Sequence, residues 1–421
     1  MVRGINHFVP HAFTGKDFPD PDCPPHFYAW GHNPQYRHFG AIVEYMNRVC
    51  SLISNGQRNS KVALLYNGEL EWMGESMLIQ KPLRKLYENQ ILVDTIPLDV
   101  FFEEDRYNTK IGNTLKVNNQ EYKILIVPKC QFISKMIKEK LDQLNIPVIF
   151  VDGLPKTYED NEDVEYEVVA LDDLVSKVKK IVQPESEINP SNKYIRLLQY
   201  TNENRILYLF NEDKDIYKGT LNIDFNKYYE YDAWNNKIYK LDSNEIILEP
   251  NKGLILIEDK ADNKLLSQRI KLEGEKIQLN HFERSVCDAI DYPCFIKKNH
   301  VVLPEDYSKV DKTFSGFIRY EKEIELYDKK KVILEITDAY EGVEVFINNQ
   351  SLGIQVVPNF VYDLSDYIKE GKNNLIIEVA TTLERQMKAN NKFDVRAIVL
   401  GQSGKPKDPI GINGEVNLYL D

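Results

Sequence analysis

Apolar residues recur at helical spacing through Phe39, Ile42, Val43, Met46, Val49, Cys50 and Ile53, ahead of the turn signal Asn55-Gly56. This spacing predicts one amphipathic helix. Upstream, a short apolar stretch reads as a strand, followed by a long loop dense in Pro, His and aromatic residues. A lone strand leaves its ladder unpaired and one face wet, so this strand, loop and helix need partners. From residue 61 the pattern changes. The runs Lys61 to Tyr66, Leu92 to Ile96, Ile124 to Val127 and Val148 to Val151 are continuous and apolar, and amphipathic stretches around 75–89, 133–144 and 171–181 separate them. Continuous apolar strands alternating with helices predict a parallel, doubly wound sheet, with a hairpin-like insert around Val117-Asn118-Asn119. Past Pro184 the helical period stops. Ile195 to Leu198, Ile206 to Phe210, Leu221 to Ile223, Tyr228 to Tyr231, Ile238 to Leu241 and Ile246 to Leu248 read as strands of a small antiparallel sandwich. A mixed stretch from 263 to about 313 leads to alternating strands at 332–336 and 343–347, the latter ending at Asn348-Asn349.

The chain has 421 residues, enough for roughly two to four compact units. Lys plus Arg is 53 against 65 for Asp plus Glu, a net charge of -12 that repels a phosphate backbone; nucleic acid is not the expected partner. No apolar run approaches the ~18 residues of a membrane span, and no membrane partner is expected. The five cysteines, Cys23, Cys50, Cys130, Cys287 and Cys294, form no C-x-x-C pair. They suit a reducing, cytoplasmic setting better than a disulfide framework. The amino terminus lacks the pattern of a signal peptide. The acidic run Glu159 to Glu167 is expected to be a solvated loop.

Residues 342–416 carry Gly342-Val-Glu-Val-Phe-Ile-Asn-Asn349, Gly353, Phe360-Val-Tyr-Asp-Leu364, the alternating Gly371, Asn373, Leu375, Ile377 and Val379, and Gly411, Ile412, Gly414 and Val416. In this order they resemble the sugar-binding jelly roll of glycoside hydrolase family 2. Gly4-Ile-Asn-His-Phe-Val-Pro-His-Ala-Phe13, the loop Phe18 to Tyr28 and Asn33-Pro-Gln-Tyr-Arg-His-Phe39 are similar to the last strand, loop and helix of a clan A (β/α)8 barrel. In the related family 42 β-galactosidases the last barrel helix leads into a glutamine-amidotransferase-like α/β domain, and Ser51 to Gly56 followed by Lys61 to Tyr66 looks like that junction. The resemblance implies four parts: the barrel end at 1–58, a flavodoxin-like α/β domain at 59–184, a small β-sandwich at 185–262, and a linker with a galactose-binding-like jelly roll at 263–421. The implied protein is the carboxy-terminal portion of a glycoside hydrolase acting on O-glycosidic bonds. A non-catalytic carbohydrate-binding or assembly protein is the alternative.

Five of the seven histidines, His7, His11, His26, His32 and His38, lie in the first 38 residues beside Tyr28, Trp30 and Tyr36. Barrel active sites are built from loops at the carboxyl ends of the strands, and His and Tyr offer sugars an apolar face and a polar edge. His7, His11, His26, Tyr28, His32 and Tyr36 are therefore the candidate substrate-binding residues. For His32, Tyr36 and His38 the plainer reading is loop and helix-start packing. A zinc site needs three or four converging ligands, and the His7/His11 spacing on a strand or loop does not place both on one face; no metal or cofactor is expected. Tyr340 and Glu341 are further candidates for gripping a sugar ring. Glycoside hydrolysis requires two carboxylates across the scissile bond. The resemblance places both before Met1, so no catalytic residue is expected here and the chain alone should be nearly inactive. Asp17, Asp20 and Asp22 fit turn chemistry. Glu69, Glu71 and Glu75 follow the first parallel strand, where crevices form. Cys130 stands where an amidotransferase-like nucleophile would be sought, without a His-Glu pair. That domain is expected to be a scaffold or a homo-oligomer interface, and the partner an oligosaccharide or glycoside.

Overall fold

A computed structural model of the chain describes residues 1–10, 13, 16–18, 27–258, 266–327, 331–389 and 408–421. The chain divides into two compact units, Met1–His7 with Arg48–Ser267 and Phe8–Asn47 with Gln268–Asp421. Among the described residues no helix is long and apolar enough to cross a membrane.

In the first unit, five parallel strands lie in the order Glu167–Val169, Val148–Val151, Ile124–Val127, Val62–Leu65, Asp94–Ile96. Numbered along the chain from the Asp94 edge this is 2-1-3-4-5, a doubly wound order. Every residue of the three central strands is buried. The cause is cover on both faces: Ala63, Leu65, Leu125 and Val127 pack with Leu70, Phe101, Ile137 and Leu141, while Leu64, Ile124 and Ile126 pack with Leu86, Leu174 and Val178. Two-sided burial explains why these strands read as unbroken apolar runs. The helix expected over 75–89 is shorter, Gln80–Tyr87, and is preceded by the short helix Gly68–Trp72.

The same unit holds a six-stranded antiparallel sheet, Gln57–Arg58, Ile195–Thr201, Arg205–Asn211, Gly253–Glu258, Tyr228–Asp232 and Lys237–Lys240, and a three-stranded one, Ile188–Asn189, Tyr217–Leu221 and Glu245–Leu248. Leu197, Leu207 and Leu209 of the first share a core with Tyr217, Ile246 and Leu248 of the second. Gly253–Glu258, which the pattern of the sequence did not single out, pairs with strands on both sides.

In the second unit a six-stranded antiparallel sheet runs Ile296–Val302, His281–Asp288, Gly316–Leu326, Gly371–Ala380, Gly342–Ile347, Gln350–Gln355. A four-stranded sheet, Glu275–Gln278, Val416–Leu420, Val332–Ile336, Phe360–Asp363, shares one core with it. Ile318, Val345 and Ile377 from one sheet meet Leu334, Phe360 and Leu418 from the other. Ile347 pairs with Gln350 across a two-residue turn in which Asn348 and Asn349 have φ of 50° and 68°, the left-handed pair that a tight hairpin demands.

Two expectations need correction. Residues 1–10 contain no strand; no neighbouring strand pairs with them, and residues 5–10 are exposed, so water takes the backbone hydrogen bonds that a ladder would have used. The stretch 263–313, expected to be mixed, contains the long strands His281–Asp288 and Ile296–Val302. The helix expected after the loop is present as Phe39–Leu52.

Ile126, fully buried in the middle of the parallel sheet, gives a direct test of that core. Ile126→Ala should cost about 2–5 kcal/mol of stability, measured as a shift of the urea midpoint of the first unit.

Candidate functional site

The segment 27–39 is shaped locally before it meets anything else. Asn33, in extended conformation, accepts a hydrogen bond from the Gln35 N–H at 3.1 Å, and Pro34 opens the 3-10 turn Pro34–His38. Both features start a helix. The Asn33 amide also donates to the Phe27 carbonyl at 3.0 Å, which fixes the approach of the loop. The turn sends Arg37 and His38 onto the outer face of the six-stranded sheet.

On that face Glu344 pairs in register with Glu378, and Glu378 with Arg319. Both glutamates are buried, at 5% and 1% exposure. The Arg37 guanidinium donates to Glu344 and lies 4.7 Å from the centre of the Tyr292 ring. The Ser351 hydroxyl donates to the other Glu344 oxygen at 2.7 Å. Arg319 donates twice to Glu378 Oε1, at 2.9 and 2.6 Å, and the Tyr292 hydroxyl donates to Oε2 at 3.0 Å. Arg319 also stacks 3.8 Å over Phe295. His38 is 3% exposed, with its ring centre 6.4 Å from that of Phe317. A Cβ at position 342 would come within 2.5 Å of His38 Nδ1, so glycine there makes room for the imidazole. Burial, then the neighbouring Arg37 charge, hold the His38 pKa down to about 4, and the ring is neutral at ordinary pH.

Anchored in this way, the segment carries a cluster of rings. Phe13 stacks on Tyr28 at 5.3 Å, Tyr28 meets Tyr36 edge-on at 5.0 Å, and Phe27 packs on Phe39 at 4.9 Å. Phe18 stacks on His32 at 4.7 Å. Phe13 is 64% exposed, Trp30 44% and Tyr36 40%. Exposed aromatic faces with polar edges can hold a pyranose ring.

Of the predicted site residues, Tyr28 and Tyr36 are thus in contact and His32 lies in the same loop. His7 is exposed and belongs to the first unit. His11 and His26 lie outside the described residues, as do Cys23, Asp20 and Asp22. Among the described residues no group of three or more His, Cys, Asp or Glu is arranged to hold a metal ion. The sequence reading missed an open groove of about 460 Å³ on the six-stranded sheet, with His281, Glu283, His300, Glu321 and Lys322 among the residues that line it. Its signal was alternation, which places Glu283 opposite both His300 and Glu321.

At the carboxyl ends of the parallel strands, chain fills the crevice. Ser76 bridges to Cys130, Met77 donates to the Lys129 carbonyl at 2.7 Å, and Gln131 donates to the Glu75 carbonyl at 2.7 Å. Cys130 is 1% exposed, and burial pushes its thiol up to about 12, the opposite of what a nucleophile needs. Glu341, beside Tyr340, is half-buried, and its carboxyl is raised by burial and then by Asp408, Glu384 and Asp338.

No family model and no curated protein matches this chain. Among solved structures, the chain is similar to a rhamnosidase from Novosphingobium sp. PP1Y, with a TM-score of 0.62 and 15% identity over 92% of this chain and 41% of that one. A β-galactosidase from Bacillus circulans sp. alkalophilus matches at a TM-score of 0.39 and 11% identity, over 53% and 45% of the two chains. A family 42 exo-carrageenase from Bacteroides ovatus matches at 0.36 and 13%, over 52% and 31%. The chain spans well under half the length of the rhamnosidase. The likeness is one of fold alone, shared with part of the rhamnosidase.

Two outcomes follow from the site. Arg37→Ala leaves Glu344 buried without its cation and should cost about 1–3 kcal/mol, read as a lowered melting temperature. For Glu341 the folded pKa lies above the unfolded one, so its ionised form opposes folding. That penalty is missing below the unfolded pKa and complete above the folded pKa. Glu341→Gln should therefore melt higher than the unsubstituted protein at about pH 8, with the gain gone at about pH 4.

Proposed function

We propose that the chain is the carboxy-terminal portion of a glycoside hydrolase acting on O-glycosidic bonds. In this reading residues 1–58 belong to the end of a (β/α)8 barrel and 59–184 to a flavodoxin-like domain. Residues 185–262 form a small sandwich and 263–421 a galactose-binding-like jelly roll with its linker. The contribution of this chain is a sugar-contacting loop and accessory sugar-binding domains, without the catalytic carboxylates. The observation that carries the reading is the ring cluster of Phe13, Tyr28 and Tyr36, exposed in part and yet attached to a segment tied down through Arg37 and His38. Aromatic side chains held in place lose little entropy on binding a ligand. The buried carboxylates on the same unit support the non-catalytic part, because Glu344 and Glu378 are both engaged by arginines.

The similarity to a rhamnosidase makes rhamnose and rhamnose-ended oligosaccharides the first ligands to try, within a panel of neutral sugars. Calorimetric titration should find binding by the intact chain, weakened roughly five- to tenfold by Tyr36→Ala, the loss of about 1–1.5 kcal/mol for one stacked ring. Aryl glycosides should not be turned over. No binding across the panel, or equal binding by Tyr36→Ala, would remove the loop from the proposal, and turnover would contradict the assignment of the carboxylates.

A further inference from the structure

The turn that delivers Tyr292 to Glu378 has a cysteine at each end. Strands His281–Asp288 and Ile296–Val302 are antiparallel, with Val286 paired to Ile296 across the ladder. Cys287 follows the first of these residues, and Cys294 comes two before the second. The chain between them folds through the 3-10 turn Ala289–Asp291 and then turns again, Cys294 donating its backbone N–H to the Asp291 carbonyl at 2.8 Å. The Cys287 thiol donates to the Asp288 carbonyl at 3.2 Å. Cys287 is buried and Cys294 exposed. One thiol is thus buried at the turn while the other is open to reagents in solution.

We propose that Cys287 and Cys294 are a disulfide-forming pair, a covalent cross-link that closes this turn and fixes Tyr292 beneath Arg37. The pairing of Val286 with Ile296 brings the chain together on either side of this turn, and a disulfide forms only where two Cα atoms already lie close. The oxidant is a small-molecule disulfide such as glutathione disulfide. The Cys294 thiolate attacks one of its sulfurs, forming a mixed disulfide and releasing one glutathione thiolate. Burial holds the Cys287 thiol up to about 11, so this second step is the slow one and speeds up with pH: once deprotonated, the Cys287 thiolate attacks the Cys294 sulfur, forming the Cys287–Cys294 bond and releasing the second glutathione thiolate. Two protein thiols are oxidised, one small disulfide is reduced, and the two protons lost from the protein are taken up by the released thiolates. The consequence lies in the network around the turn. Tyr292 receives the Arg37 guanidinium on its face and donates to Glu378, so closing the turn restrains the anchor of segment 27–39 as well.

The test uses the intact, reduced chain and glutathione disulfide. Thiol titration should fall from the five cysteines of the sequence to three, peptide mass spectrometry without reductant should join the two peptides carrying Cys287 and Cys294, and the oxidised chain should melt higher than the reduced one. Cys294→Ser, a change at an exposed position, should keep all its remaining thiols under the same treatment. An unchanged thiol count, a glutathione adduct on Cys294 that does not close, or a bond to any other cysteine would overturn the proposal. Equal melting of the two forms would overturn the stapling of the turn.

Discussion

Two carboxylates that face each other across neighbouring strands, out of water, must each find a positive partner, and much of the second unit is arranged around that requirement. Glu344 and Glu378 are such a pair. Left uncompensated, one would have to take up a proton or the sheet would have to open. Glu378 is matched from within the sheet by Arg319, and by the Tyr292 hydroxyl. Glu344 draws its cation from Arg37, 307 positions earlier in the chain. The need of one buried acid therefore fixes where the segment 27–39 lies, and with it the rings of Tyr28 and Tyr36.

The anchor and the ring cluster divide the work. Arg37 and His38 satisfy the sheet, one by charge and one by shape, since the imidazole sits where Gly342 leaves room for it. The residues on either side of them are then free to present aromatic faces outward. The parallel sheet of the first unit does the reverse. Its crevice at the switch between the first and third strands, where ligands of such sheets bind, is filled by the segment 74–77 and sealed over a protonated Cys130.

How much of this was legible follows from whether the cause is local. Val62 to Leu65, Ile124 to Val127 and Val148 to Val151 announced a sheet covered on both faces because two-sided burial leaves no polar position. Asn348-Asn349 announced its hairpin because few residue types accept positive φ twice in succession. Gly253–Glu258 was overlooked although it joins two strands of its sheet, and so was the ladder from His281, whose outward positions are polar and break any apolar run. At the site, the rings of Tyr28 and Tyr36 could be found from composition alone. The pairing of Arg37 with Glu344, and the burial of His38, could not, because neither leaves a mark within a local window. The missing amino-terminal strand fails for the same reason in reverse: its residues look extended and apolar, but a strand exists only where another strand receives its hydrogen bonds.

The account rests on His38 being sealed against the sheet as a neutral ring beside Arg37. Proton NMR of the imidazole across a pH titration, with its signal identified by its loss in His38→Gln, tests this directly. A ring that stays neutral until about pH 4 is the predicted result. A midpoint near the ordinary histidine value of about 6.5 would mean that His38 is open to water, that Arg37 does not hold the segment on the sheet, and that the ring cluster has no fixed place.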